Sequence, residues 1–130
     1  MHSGQISSLG LLLSGVASVV APGNVADTLR ITAADPRGTT EIRAGLGGTY
    51  AALGGWALAS KQPAADVAVG ATWLGAAAVR LGSLALDRPK TDASYWAFLG
   101  LEVGLGSLAL LSARSRRRAR RQNAGQPSRA

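Results

Sequence analysis

Three ionisable residues, Arg43, Arg80 and Glu102, stand inside long apolar stretches of this 130-residue chain. A charge at membrane depth is costly, so the helices that carry it must satisfy it among themselves or use it. An arginine fork and a carboxylate have two uses there. They can close on each other as an ion pair that pins helix register, or they can hold a small polar or amphiphilic ligand. Spacing extends the set. Residues seven apart share a helix face two turns on, which groups Arg43 with Tyr50, Arg80 with Asp87, and Tyr95 with Glu102. The charges of Arg43 and Arg80 balance those of Asp87 and Glu102. The candidate ligand-binding residues are therefore Arg43, Tyr50, Arg80, Asp87, Tyr95 and Glu102.

Catalysis has no comparable footing. The only histidine is His2, there is no cysteine, and neither a nucleophile–base pair nor a metal-ligand cluster can be assembled. The glycines of the second apolar stretch lack the Lys-Ser/Thr ending of a phosphate loop. One Glu and one Arg are too short a chain for a proton relay. A non-enzyme is expected, with no cofactor and no metal.

Four apolar stretches must position these residues, at about 6–21, 42–60, 64–86 and 94–113. A bilayer core takes about 20 mostly apolar residues per helix, within a range of about 17 to 25. The last three fit that range and the first is marginal. Pro22-Gly23, Lys61-Gln62-Pro63 and Asp87-Arg88-Pro89 break the chain between them. A soluble bundle would repeat polar residues every three or four positions on each helix. Residues 44–59 and 67–79 show no charged face, and their glycines would weaken helices in water. In a membrane, small residues let backbones approach, and Gly100 and Gly104 form a GxxxG. The first stretch reads as a retained helix, since Met1–Gln5 lacks the basic residue of a signal peptide and Pro22 follows the only cleavage-like site. An all-α, antiparallel four-helix transmembrane bundle over residues 1–113 is expected.

The net charge of +7 belongs to one end of the chain. Arg114, Arg116, Arg117, Arg118, Arg120, Arg121 and Arg129 make up half of its 14 basic residues. Residues 114–130 read as a basic disordered tail that fixes topology by the positive-inside rule. Both termini and the turn at Lys61 are then cytoplasmic, and the loops at 27–41 and 87–92 face outward. Anionic lipid headgroups are expected partners of Arg114, Arg116, Arg117, Arg118, Arg120 and Arg121. Nucleic acid is not, because no aromatic residue interleaves the arginines.

With this orientation Arg80 and Glu102 lie at one depth, about 9–12 Å below the outer boundary at 1.5 Å per residue. A pair between them is expected across the hairpin of the third and fourth helices, with Tyr50 hydrogen-bonded to it. At these positions the chain resembles the DUF4345 family of small bacterial membrane proteins of unknown function. Arg43 shortly before Gly47-Gly48, Arg80 followed by Ser83-Leu84 and Asp87-Arg88-Pro89, and Glu102 carry the resemblance over about two-thirds of the chain. The family commonly has Tyr before the Gly-Gly where this chain has Leu46, and Tyr50 lies one turn on. The resemblance implies a four-helix membrane protein and supplies no activity.

A multi-pass protein of a bacterial plasma membrane follows. Its leading role is to bind a small amphiphile, a lipid or a partner subunit through the Arg/Glu/Tyr cluster. Two rivals stand beside it: a structural accessory subunit of a larger membrane complex, and a small transporter that would need a homo-oligomer to enclose a lumen.

Overall fold

A computed structural model of the chain describes residues 3–60 and 62–124; His2, Lys61 and Arg129, used above, lie outside them. The elements are helical: α1 Ser3–Val20, α2 Pro22–Leu29, α3 Pro36–Glu41, a π-helical segment Ile42–Gly48, α4 Thr49–Ala59, α5 Pro63–Leu86 and α6 Ala93–Ala124. Their starts follow from local chemistry. Pro22, Pro36 and Pro63 occupy first-turn positions, where the missing N–H is not needed. Asp35 caps α3 by accepting from the Gly38 N–H at 2.9 Å, and Asp92 caps α6 by accepting from the Tyr95 N–H at 3.0 Å. Arg30 turns left-handed to close α2, with the Ile31 N–H donating back to the Ala26 carbonyl at 2.8 Å.

Three helices, α1, α5 and α6, are long and apolar enough to cross a membrane. They correspond to the first, third and fourth of the four expected spans. The first stretch, marginal by sequence, is an uninterrupted helix of 18 residues. The second, expected as one span over 42–60, changes helix type along its length. Its π-helical part holds Gly45, Gly47 and Gly48 and joins α3 to α4 without a break, so residues 36–59 form one continuous helical stretch of mixed winding. Glycine has little preference for the tighter α turn, so the wider winding meets little local resistance here.

Over residues 114–124 the expected disordered tail is corrected, and the remainder of it lies outside the described residues. α6 continues through the arginines to Ala124 without a break. Alanine and arginine are strong helix formers, and cations near a helix C-terminus meet its negative dipole end.

The chain divides into two compact units, Ser8–Ser60 and Met1–Ser7 with Lys61–Ala130. In the first, α1 and the 42–59 segment touch through glycine. A Cβ on Gly15 would strike the Ala51 backbone nitrogen, and one on Gly54 the Leu12 backbone nitrogen. In the second, α5 and α6 form an antiparallel hairpin that closes on Gly70 and Gly106. A Cβ on Gly106 would lie 2.6 Å from Leu74 Cγ, and one on Gly70 would lie 2.9 Å from Leu110 Cγ. The GxxxG glycines Gly100 and Gly104 take no part, with open space where a Cβ would stand. Val69, Trp73 and Ala77 of α5 and Ala109 and Ala113 of α6 are buried. The first turns of α1 are stitched to this hairpin. Trp73 Nε1 donates to the Ser7 carbonyl at 3.3 Å, and Ser7 Oγ donates to the Leu105 carbonyl at 2.7 Å.

Candidate functional site

Glu102 sits in the middle of α6, two turns beyond Tyr95, and Arg80 sits two turns before the end of α5. Antiparallel packing brings them to one level. Arg80 Nε donates to Glu102 Oε2 at 3.1 Å and Arg80 NH2 donates to Oε1 at 2.8 Å. Both carboxylate oxygens are thus held by one planar fork, the strongest geometry available to this residue pair. The side chains are unequally covered: Glu102 is 7% exposed and Arg80 24%.

Tyr95 completes the group from the first turn of α6. Its hydroxyl donates to the Arg80 backbone carbonyl at 2.6 Å, and its ring lies 5.3 Å from the Arg80 guanidinium carbon. Phe98 adds a second ring at 5.7 Å. Two aromatic faces beside a cation favour the charged guanidinium through their quadrupoles. The arginine is therefore held by a carboxylate and two rings, while about a quarter of it faces out.

Asp87 ends α5 with an exposed side chain outside these contacts. Arg43 belongs to the Ser8–Ser60 unit, where its NH1 donates to the Val19 carbonyl at 2.9 Å. Tyr50 is in the same unit, half-buried near the start of α4. Of the six candidates, the contacts of the α5–α6 hairpin join Arg80, Tyr95 and Glu102. Phe98 was missed, although it sits three residues after Tyr95 and four before Glu102 on their shared face.

A second polar contact was also missed. Asp66, in the first turn of α5, has a carboxylate only 4% exposed. Ser112 Oγ of α6 donates to its Oδ2 at 3.0 Å, and Arg116 NH1 approaches the same oxygen at 3.5 Å. Gly4 of α1 borders it so closely that a Cβ there would lie 2.7 Å from Asp66 Oδ1. The register of the hairpin follows from the two contacts together. Fourteen residues separate Asp66 from Arg80 on one helix, and fourteen separate Glu102 from Arg116 on the other. Each helix carries its acid first and its base later, so antiparallel pairing matches opposite charges at both ends. A slip of one heptad would set Glu102 opposite Trp73 or Asp87 and strand a buried carboxylate.

A family model for a domain of unknown function, DUF4345, matches residues 3–113. The chain belongs to the DUF4345 family. No curated protein and no solved structure matches it. The match to the DUF4345 model takes in Arg80, Tyr95, Phe98, Glu102, Asp66 and Ser112, and it ends before the basic turns of α6. Among the described residues no group of histidine, cysteine, aspartate and glutamate is placed to hold a metal ion.

Proposed function

We propose that this DUF4345 protein is a multi-pass, non-enzymatic protein of a bacterial plasma membrane, with both termini cytoplasmic, that binds the anionic headgroup of a small amphiphile at Arg80. The observation that carries this is the state of the guanidinium. It is fixed by Glu102 and flanked by Tyr95 and Phe98, yet 24% of the side chain remains exposed. A cation already held in place loses little side-chain entropy when an anion reaches its solvent-accessible part. Three helices of membrane length, and large apolar residues exposed on them such as Leu13, Val79, Leu86 and Leu101, support the bilayer setting.

The test uses oleate as a carboxylate amphiphile and melting temperature in neutral detergent as the readout. Ligand that binds only the folded state raises the transition by mass action. Oleate should raise it for the natural chain and fail to do so for Arg80→Met. A double Arg80→Met/Glu102→Leu variant that melts normally and still responds to oleate would refute the assignment. If that variant responds to nothing and the natural chain is also indifferent to oleate, the pair serves only helix register. A chain that stays monodisperse without detergent would refute the bilayer setting itself.

One observation favours the accessory-subunit rival. Gly100 and Gly104 leave open space on α6, a surface a neighbouring helix could approach closely. That role requires a stoichiometric larger partner to co-purify with a tagged copy, and a clean monomer from native membrane would count against it.

A further inference from the structure

The arginines of α6 do not form one undivided cloud of charge. Ser112 and Arg116 both reach Asp66, which fixes the rotation of the helix beyond Ala113. At 3.6 residues per turn, Arg120 continues the Asp66 side. Arg114, Arg117, Arg118 and Arg121, three or four positions apart, fall together on the opposite side. All four are exposed. Leu111, one turn earlier, is exposed as well, and it lines a groove of about 460 Å³ with Arg114, Ser115, Arg118, Ala119 and Gln122. That groove is apolar at its Leu111 end and cationic at its Arg114–Arg118 end.

We infer that this face is a docking surface for anionic phospholipid headgroups, with the phosphate between Arg114 and Arg118 and the glycerol and upper acyl segments along Leu111. Three features select that occupant. The charge is complementary, the apolar-to-basic order along the helix matches the order from acyl chain to headgroup, and the face begins where the apolar part of α6 ends. Arg117 and Arg121 widen the cationic stripe toward neighbouring headgroups. Arg116 is withheld from it by Asp66. The surface thus has a direction around the helix, set by a contact inside the hairpin. This inference rests on the bilayer setting proposed above but not on the Arg80 site.

The experiment titrates dioctanoyl-phosphatidylglycerol onto the full chain in neutral detergent. Dioctanoyl-phosphatidylcholine, inorganic phosphate and a single-stranded RNA oligonucleotide are the comparison ligands. Phosphatidylglycerol should bind, and binding should weaken as salt rises. Replacing Arg114, Arg117, Arg118 and Arg121 by Gln should weaken it by about tenfold or more, since each arginine near an anionic lipid surface contributes severalfold. The same four positions changed to Lys should retain most of it. Arg116→Gln with Arg120→Gln should change it by less than about threefold, and the loss from the four-residue Gln variant should recur in an Arg80→Met/Glu102→Leu background, where the outer site no longer contributes to the signal. Equal binding of inorganic phosphate would replace the lipid with a free anion, and tighter binding of RNA would make the face a nucleic-acid surface. Loss in the Arg116/Arg120 variant equal to that in the four-residue variant would overturn the directional face. Should the Gln variant fail to fold, salt-independent phosphatidylglycerol binding by the natural chain would overturn the proposal on its own.

Discussion

The two ends of the α5–α6 hairpin solve the same problem, a carboxylate taken out of water, by different means. At one end the acid is Glu102 on α6, and Arg80 grips both its oxygens at 2.8 and 3.1 Å. At the other the acid is Asp66 on α5. It is just as buried, but it accepts a hydrogen bond from the Ser112 hydroxyl at 3.0 Å and has its arginine only at 3.5 Å. Position explains the difference. Glu102 lies mid-helix among backbone groups that already have partners, so only a side chain can satisfy it. Asp66 lies in the first turn of α5, where the positive end of the helix dipole already favours a negative charge. The deep acid needs a fork, and the shallow acid manages with a hydroxyl and a more distant cation.

The largest effect that follows is at the deep end. Glu102→Leu leaves Arg80 two turns inside α5 without its carboxylate, and breaking a buried pair in this way costs about 3–5 kcal/mol. Thermal unfolding in detergent should show that loss, and adding Arg80→Met should recover most of it. No recovery in the double variant would mean that the pair does more than neutralise itself. Asp66→Ala comes next, at about 1–3 kcal/mol, because Ser112 loses its acceptor while Arg116, 25% exposed, can turn to water. A cost equal to that of Glu102→Leu would erase the distinction between the ends. Tyr95→Phe removes one hydroxyl donor from the Arg80 carbonyl and keeps the ring beside the guanidinium. It should cost about 1 kcal/mol by the same measurement.

The deep end was legible in the sequence and the shallow end was not, for physical reasons. Arg80 and Glu102 are isolated charges in apolar surroundings, so rise per residue was enough to set them at one depth. Asp66 lies three residues after Pro63, where a charge looks like part of the turn. Arg116 was hidden among its neighbours, since a run of arginines says nothing about which one faces inward until the helix phase is known. The same run was read as disordered, although arginine and alanine both favour the helix seen through Ala124. All-helical architecture followed from hydropathy and proline placement. The change of winding at Ile42–Gly48 did not, because glycines announce weak α preference but not which alternative the backbone takes. Nor could the GxxxG pattern reveal which side of α6 it lies on; the close approach fell to Gly106 instead.

Arg116→Gln is the smallest effect and the sharpest test of the contrast. If the first turn of α5 and Ser112 carry most of the stabilisation of Asp66, removing a cation at 3.5 Å should cost about 1 kcal/mol or less, as for partly exposed ion pairs generally. Arg116→Lys, which keeps the charge but not the planar fork, should then be indistinguishable from it. At the other end Arg80→Lys should be clearly worse than the natural residue, because a single ammonium cannot replace two parallel donors on one carboxylate. Arginine and lysine are thus interchangeable where the helix end does the work and not where the fork does. Melting curves for Arg116→Gln, Arg116→Lys and Arg80→Lys decide the matter. A large loss from Arg116→Gln that lysine fully restores would mean that charge, rather than the helix terminus, holds Asp66 inside.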